Sequence, residues 1–217
     1  MARIDLKPGA LTAPLPPVLV TVKSGGVSNI ITIGWTGILA TNPPKTYVSI
    51  RPSRHSYEML KESREFVINL APASLAPAVD YCGIYTGAKV DKFEKCSLTP
   101  KDSHEVSAPT IAECPIALEC RVTDILPMGT HDVFMADIVS ISCDESIIDQ
   151  NGKIRYDKAD LLAYVHGEYF GLGERLGKFG FSTDKGADPT RRIERKKPQK
   201  AYIKAPRKKD RREKGRR

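Results

Sequence analysis

A mainly β architecture with flanking helices is what this 217-residue sequence predicts, and three observations carry the prediction. Apolar residues recur with the two-residue period of a half-buried strand, most clearly in Ser28 to Thr36 and in Pro115 to Leu126. The 16 Gly and 16 Pro are spread between the apolar runs, as the short connections of an antiparallel sheet require. The length suits one β-rich domain with additions. That domain is expected to span residues 1–188, followed by a basic tail over 189–217.

The elements follow in chain order. Val18 to Val22 is β-branched and apolar and ends at Ser24-Gly25-Gly26, a strand and a turn. Ser28 to Thr36 places Asn29, Ile31, Ile33 and Trp35 on one face and Ile30, Thr32, Gly34 and Thr36 on the other, whose small hydroxyls suit a flat polar ligand. Pro43-Pro44 breaks the chain, and Thr46 to Ile50 is a further strand. Ser56, a favoured N-cap type, is expected to open a helix running to about Ser63, and Glu65 to Leu70 reads as a strand. Ser74 to Tyr81 predicts a short helix with Gly83 as its left-handed cap. Two long strands, Pro115 to Leu126 and His131 to Ser142, flank a turn at Met128-Gly129-Thr130. Asn151-Gly152 marks a hairpin turn. Asp160 to Tyr164 is expected to be a short helix, and the Gly-rich His166 to Glu174 an ordered loop.

The net charge of +8 is a property of the tail. Residues 191–217 hold 15 basic and 3 acidic side chains, which leaves 19 basic and 23 acidic in residues 1–190. A mildly acidic core has no matching basic face for nucleic acid, so phosphate contacts with RNA or DNA would have to come from the tail pairs Lys196-Lys197, Lys208-Lys209, Arg211-Arg212 and Arg216-Arg217. The alternative is a solvated tail. No apolar run approaches the ~20 residues that span a bilayer, and no secretory leader pattern is present, so a cytoplasmic protein with reduced thiols is expected. The five cysteines show no metal-ligand spacing, and Cys82 and Cys96, the one imaginable redox pair, read as buried and inert.

The stretch Ser49 to Tyr57 is the most informative. It places Arg51, Arg54, Ser53 and Ser56 between a strand end and a helix start, where bidentate guanidinium bonds and the helix dipole favour a phosphate. The plainer alternative is a solvated basic turn. Thr32, Trp35 and Thr36 could border a flat ring, although a lone tryptophan is commonly a core residue. Lys92 and Phe93 offer a cation and an aromatic in one short segment, and His131 stands at a strand start, each with a structural alternative.

The ordered series Asn29-Ile30-Ile31-Thr32-Ile33-Gly34-Trp35, Asn42-Pro43-Pro44, Ser49 to Tyr57, Glu65 to Leu70, Asp91-Lys92-Phe93 and His131-Asp132-Val133-Phe134 resembles the flavin reductase-like, or flavoredoxin-like, family. The likeness runs from about Pro16 to Phe181. It implies an FMN-binding split β-barrel that pairs as a homodimer, with FMN near the subunit interface. It implies further that Asn29, Thr32, Trp35 and Thr36 border the flavin, that Arg51, Ser53, Arg54 and Ser56 hold its phosphate, that Lys92 and Phe93 close the site, and that His131 lies on the nicotinamide or acceptor side. The implied activity is FMN-dependent reduction by NADH or NADPH, with electrons passed to an unidentified acceptor. The other class consistent with the resemblance is a non-enzymatic FMN electron carrier. No G-x-G-x-x-G dinucleotide fingerprint is present, and the family uses none.

Overall fold

In the computed structural model, which describes residues 3–193, Val18–Ser24 (β1) and Val27–Ile33 (β2) form a hairpin. Its turn is Gly25-Gly26, both at positive φ, the backbone that matches strand twist in a two-residue loop. The expected single strand Ser28 to Thr36 does not persist. Gly34-Trp35 breaks it, and Thr36 starts a separate strand, Thr36–Thr41 (β3), which pairs with Pro44–Ile50 (β4). Then come the helix His55–Ser63 (α1) and the strand Glu65–Leu70 (β5).

The helix Ala76–Ile84 (α2) follows a single turn of 3-10 helix at Ala73–Leu75, and Lys92–Lys95 (α3) is one turn long. Short strands at Pro100–Lys101 (β6) and Thr110–Ile111 (β7) pair with each other. Ile116–Pro127 (β8) and Asp132–Cys143 (β9) are the long hairpin that the sequence predicts, turned at Gly129 with φ 82°. Leu162–Val165 (β10) and Glu168–Gly171 (β11) complete the list.

Seven strands form one antiparallel sheet in the order β2-β1-β5-β8-β9-β4-β3. Its two outermost strands, β2 and β3, are consecutive in the chain and joined by Gly34-Trp35 alone. So short a link cannot cross a flat seven-stranded sheet, whose strands stand roughly 4.8 Å apart. The sheet therefore curls until its edges meet. The edges are not laddered together, which leaves the barrel split beside β2.

Alternation then makes two cores. Val18, Val20, Val22, Ile31, Ile33, Val48, Ile50, Phe66, Phe134 and Ala136 point into the barrel, where Tyr57, Met59 and Leu60 of α1 join them. The opposite parity, Leu19 and Ile30, packs outward under α2 and α3 against Val79, Cys82, Phe93 and Leu98. Both faces of β1 are thus covered, which accounts for its unbroken apolar run.

Three local expectations are corrected. Ser56 is not the N-cap of α1: the cap position is Arg54, which makes no side-chain capping bond. Gly83 lies inside α2, whose cap is the extended Tyr85. The expected helix at Asp160 to Tyr164 is strand from Leu162, and the expected loop supplies its partner β11. The turn between them, His166-Gly167, holds both residues at positive φ, 44° and 95°. The apolar run Leu161 to Val165 fits either element, and cross-strand bonding, including reciprocal backbone bonds between Leu15 and Tyr164, decides it.

The chain divides into the units Met1–Arg175 and Leu176–Arg217, whereas composition places the change at 188. Within the second unit the described residues include one 3-10 turn, Phe181–Thr183. The basic pairs from Lys196 onward lie outside the described residues. Among the described residues no helix is long and apolar enough to cross a membrane.

Candidate functional site

Along the split edge of the barrel three hollows of about 60, 170 and 290 Å³ share wall residues and follow β2 as one groove. Ile31 and Arg54 border the first and second, Thr32 and Trp35 the second and third, and Gly83 the first and third. The groove is placed by topology. Among the described residues β2 pairs only with β1, so its other side is open, and α2 forms the far wall with Cys82 and Gly83.

The first end is cationic. Ser53, Arg54, Ser56, Asn29 and Lys92 line it together with Thr86 and Gly87. The turn before α1 is closed by Arg54 N–H donating to Arg51 O at 3.0 Å, which presents both arginines to solvent. Because no side chain caps α1, its first-turn amides and the positive end of its dipole are directed to the same place. Ser56 is buried, and its Oγ accepts from Asn29 Nδ2 at 2.8 Å, tying α1 to the edge strand.

Lys92 is only 4% exposed, unlike the solvated lysine its sequence context allows. Its Nζ donates to Ile30 O at 2.7 Å and to Cys82 O at 2.9 Å, so it staples β2 to α2 across the groove floor. Burial lowers its pKa from the usual lysine value, and the Arg54 guanidinium adds to the shift.

The other end is aromatic. Trp35 is 41% exposed, not a core residue, and its ring lies 4.5 Å from that of His131. Arg51 Nε is 3.3 Å from His131 Nε2. Burial, then Arg51 and Arg54, push the imidazole below its ordinary pKa, which favours the neutral ring. Thr32 Oγ1 donates to Val79 O at 2.5 Å, so this hydroxyl anchors α2. Tyr164 and Tyr169 of the β10–β11 hairpin close the third hollow with Asp80, to which Tyr169 OH donates at 3.3 Å. Burial and the Asp80 carboxylate push Tyr169 up to about 12.

Asn29, Thr32, Trp35, Arg51, Ser53, Arg54, Ser56, Lys92 and His131 are therefore brought to one groove. Two expected members are not. Thr36 Oγ1 donates to Tyr47 O at 2.6 Å within the β3–β4 hairpin, and Phe93 is buried in the outer core beside Leu98 and Cys82. Sequence reading missed Gly83, Thr86 and Gly87, which lie on the far wall, and the two tyrosines. Gly87 sits in a turn closed by Lys89 N–H donating to Thr86 O at 3.2 Å, so the sequence offers only a turn glycine, and the fold alone shows what it faces: a Cβ there would stand 2.1 Å from Asn29 Oδ1.

The model of the "flavin reductase like domain" family matches residues 11–173, within the unit that holds the groove. The chain belongs to the flavin reductase-like family. Among solved structures of similar fold, a flavoredoxin of Desulfovibrio vulgaris (Miyazaki F) is 29% identical with a TM-score of 0.79, covering 84% of this chain and 100% of that one. A flavoredoxin from Methanosarcina acetivorans is 28% identical with a TM-score of 0.78 over the same shares. The reductase component of a 4-nitrophenol 4-monooxygenase/4-nitrocatechol 2-monooxygenase of Rhodococcus opacus is 31% identical over 124 residues, 56% of this chain and 62% of that protein. Family membership and fold thus agree with the split barrel that the motif series implies.

Proposed function

We propose that the groove binds FMN, phosphate toward Ser53–Ser56 and ring along β2 toward Trp35, and that the protein is an NAD(P)H:flavin oxidoreductase. The observation that carries this reading is the union in one groove of an uncapped helix N-terminus flanked by two arginines with an open strand edge ending in an exposed tryptophan. A phosphate monoester suits the first feature, through paired N–H donors and the dipole. A planar heterocycle suits the second, because an edge strand offers unpaired backbone groups in one plane. Bound there, FMN supplies the redox chemistry, accepting a hydride equivalent from NAD(P)H and releasing electrons to a flavin, metal-complex or protein acceptor.

The chain's own residues bind and orient. Arg51, Ser53 and Arg54 hold the phosphate, Asn29 and Ser56 set the position of α1 beneath it, and Lys92 keeps the groove floor closed. His131, kept neutral and packed on Trp35, offers an uncharged face on the side where a nicotinamide would approach. A homodimer belongs to the same reading and is supported by the exposed apolar side chains Ile38, Leu39, Leu126 and Met128. Light scattering is expected to give twice the chain mass.

The test is anaerobic mixing of FMN-loaded, gel-filtered protein with NADH and with NADPH. Loss of the flavin absorbance with either nucleotide is expected. Retained absorbance with both, together with bleaching by dithionite, would favour the second reading, a non-enzymatic electron carrier, which the likeness to two flavoredoxins supports. Failure to retain any FMN would refute the site itself.

A further inference from the structure

Cys82 and Cys96, expected from the sequence to be inert, stand with their Sγ atoms 4.0 Å apart. Cys82 lies on the last turn of α2 and is 1% exposed; Cys96 caps α3 and is half-buried. The two helices are held at this spacing independently of the thiols, because Lys92 of α3 donates to the carbonyl of Cys82 itself. Phe93 of α3 and Val79 of α2 also share the outer core. A disulfide needs the sulfurs to close to about 2.05 Å, a movement that side-chain rotation and a small shift of the one-turn α3 can supply.

We propose that Cys82 and Cys96 are a reversible dithiol–disulfide site, oxidised by peroxide. The more accessible Cys96 thiolate attacks hydrogen peroxide, forming an S–O bond and releasing hydroxide. Cys82 sulfur then displaces the oxygen of that sulfenic acid: the S–S bond forms, the S–O bond breaks, and the Cys82 proton leaves with the hydroxyl as water. In total two thiols lose two hydrogens and one peroxide becomes two waters. Burial holds Cys82 as the protonated thiol, with Lys92 opposing, so its proton leaves in the same step that forms the S–S bond.

The placement gives the bond a structural consequence. In the first hollow, Gly83, Tyr85, Thr86, Gly87 and Lys92, the lining residues contributed by this part of the chain besides Cys82, all lie between the two cysteines. The crosslink would therefore turn one wall of the groove into a closed covalent loop. Its effect on a ligand rests on the FMN reading; its formation does not.

The experiment uses the full reduced chain, treated with excess hydrogen peroxide and mapped by mass spectrometry without reductant. The disulfide would join the tryptic peptides 65–89 and 96–101, with a loss of two hydrogens that dithiothreitol reverses. Cys96→Ser should abolish the linked pair, and Cys143→Ser should leave it intact. Two results would overturn the proposal: Cys96 accumulating as a dimedone-reactive sulfenic acid or higher oxide with Cys82 still alkylatable, or linkage of either residue to another cysteine. No flavin enters the readout, so a failure here leaves the FMN reading standing, and absent FMN binding leaves this test interpretable.

Discussion

Replacing Gly87 with alanine places a methyl group where the structure already holds Asn29. The new Cβ would lie 2.1, 2.5 and 2.7 Å from Asn29 Oδ1, Cγ and Nδ2, about an ångström inside contact distance. Gly87 is not among the positive-φ glycines, so the effect isolates this collision from backbone strain. Asn29 is 5% exposed and cannot swing into water. If it moves, its bond to Ser56 Oγ at 2.8 Å is lost. Leaving a buried amide unpaired costs about 1–3 kcal/mol, and an off-rotamer side chain about 0.5–1.5 kcal/mol more. At roughly 2–4 °C per kcal/mol for a domain of this size, Tm should fall by about 5 °C or more. The FMN dissociation constant should rise as well, because Asn29 and Ser56 border the phosphate end. Gly83→Ala on the same wall is the contrast. Its Cβ would meet Thr32 Cβ at 3.4 Å, ordinary contact, and alanine is favoured over glycine in a helix by roughly 0.5–1 kcal/mol. That variant should hold or raise Tm while weakening FMN through the added methyl. Calorimetry and fluorescence titration of both variants check the pair. Unchanged melting and unchanged FMN affinity in Gly87→Ala would refute the close approach on which the reasoning stands.

Arg54→Ala should weaken FMN about 10- to 100-fold, from the ~1.5–3 kcal/mol of charge-assisted hydrogen bonding, with little change in Tm because the side chain is exposed; isothermal titration against riboflavin, which lacks the phosphate, reads the difference. NMR titration of His131 should give a midpoint below the ordinary histidine value, moving up in Arg51→Ala and on phosphate binding. Because the folded value is lowered, the unfolded chain binds more protons between the two values, so this group's contribution to stability is present above the ordinary value and lost as pH falls through that window. Lys92→Met should lower stability by about 2 kcal/mol or more, since the carbonyls of Ile30 and Cys82 both lose their donor. The lowered lysine pKa also means that the native chain gains stability as pH rises through the window below the ordinary lysine value, and denaturant melts at several alkaline pH values should show that gain absent from the variant.

What the sequence determined by itself was local or periodic. Two-residue alternation located β8 and most of β2, apolar runs without alternation located β1 and β9, and Gly25-Gly26 located the first turn, because strand character and a left-handed turn are written in adjacent residues. The Arg-Ser loop before α1 was readable as a candidate anion site because its two arginines, its serines and the helix start are neighbours in the chain. Tertiary structure decided the rest. Whether Leu161 to Val165 is helix or strand depends on a partner strand and on Leu15, far away in the chain. Lys92 turns from a solvent cation into a buried staple because α2 and β2 present carbonyls to it, and Thr36 leaves the groove because Gly34-Trp35 bends the chain toward β4. Gly87 against Asn29, and Cys82 against Cys96, are contacts between segments that only closure of the barrel and docking of α2 and α3 bring together. Such pairings belong to the packed state, where burial and the loss of competing water set which groups meet.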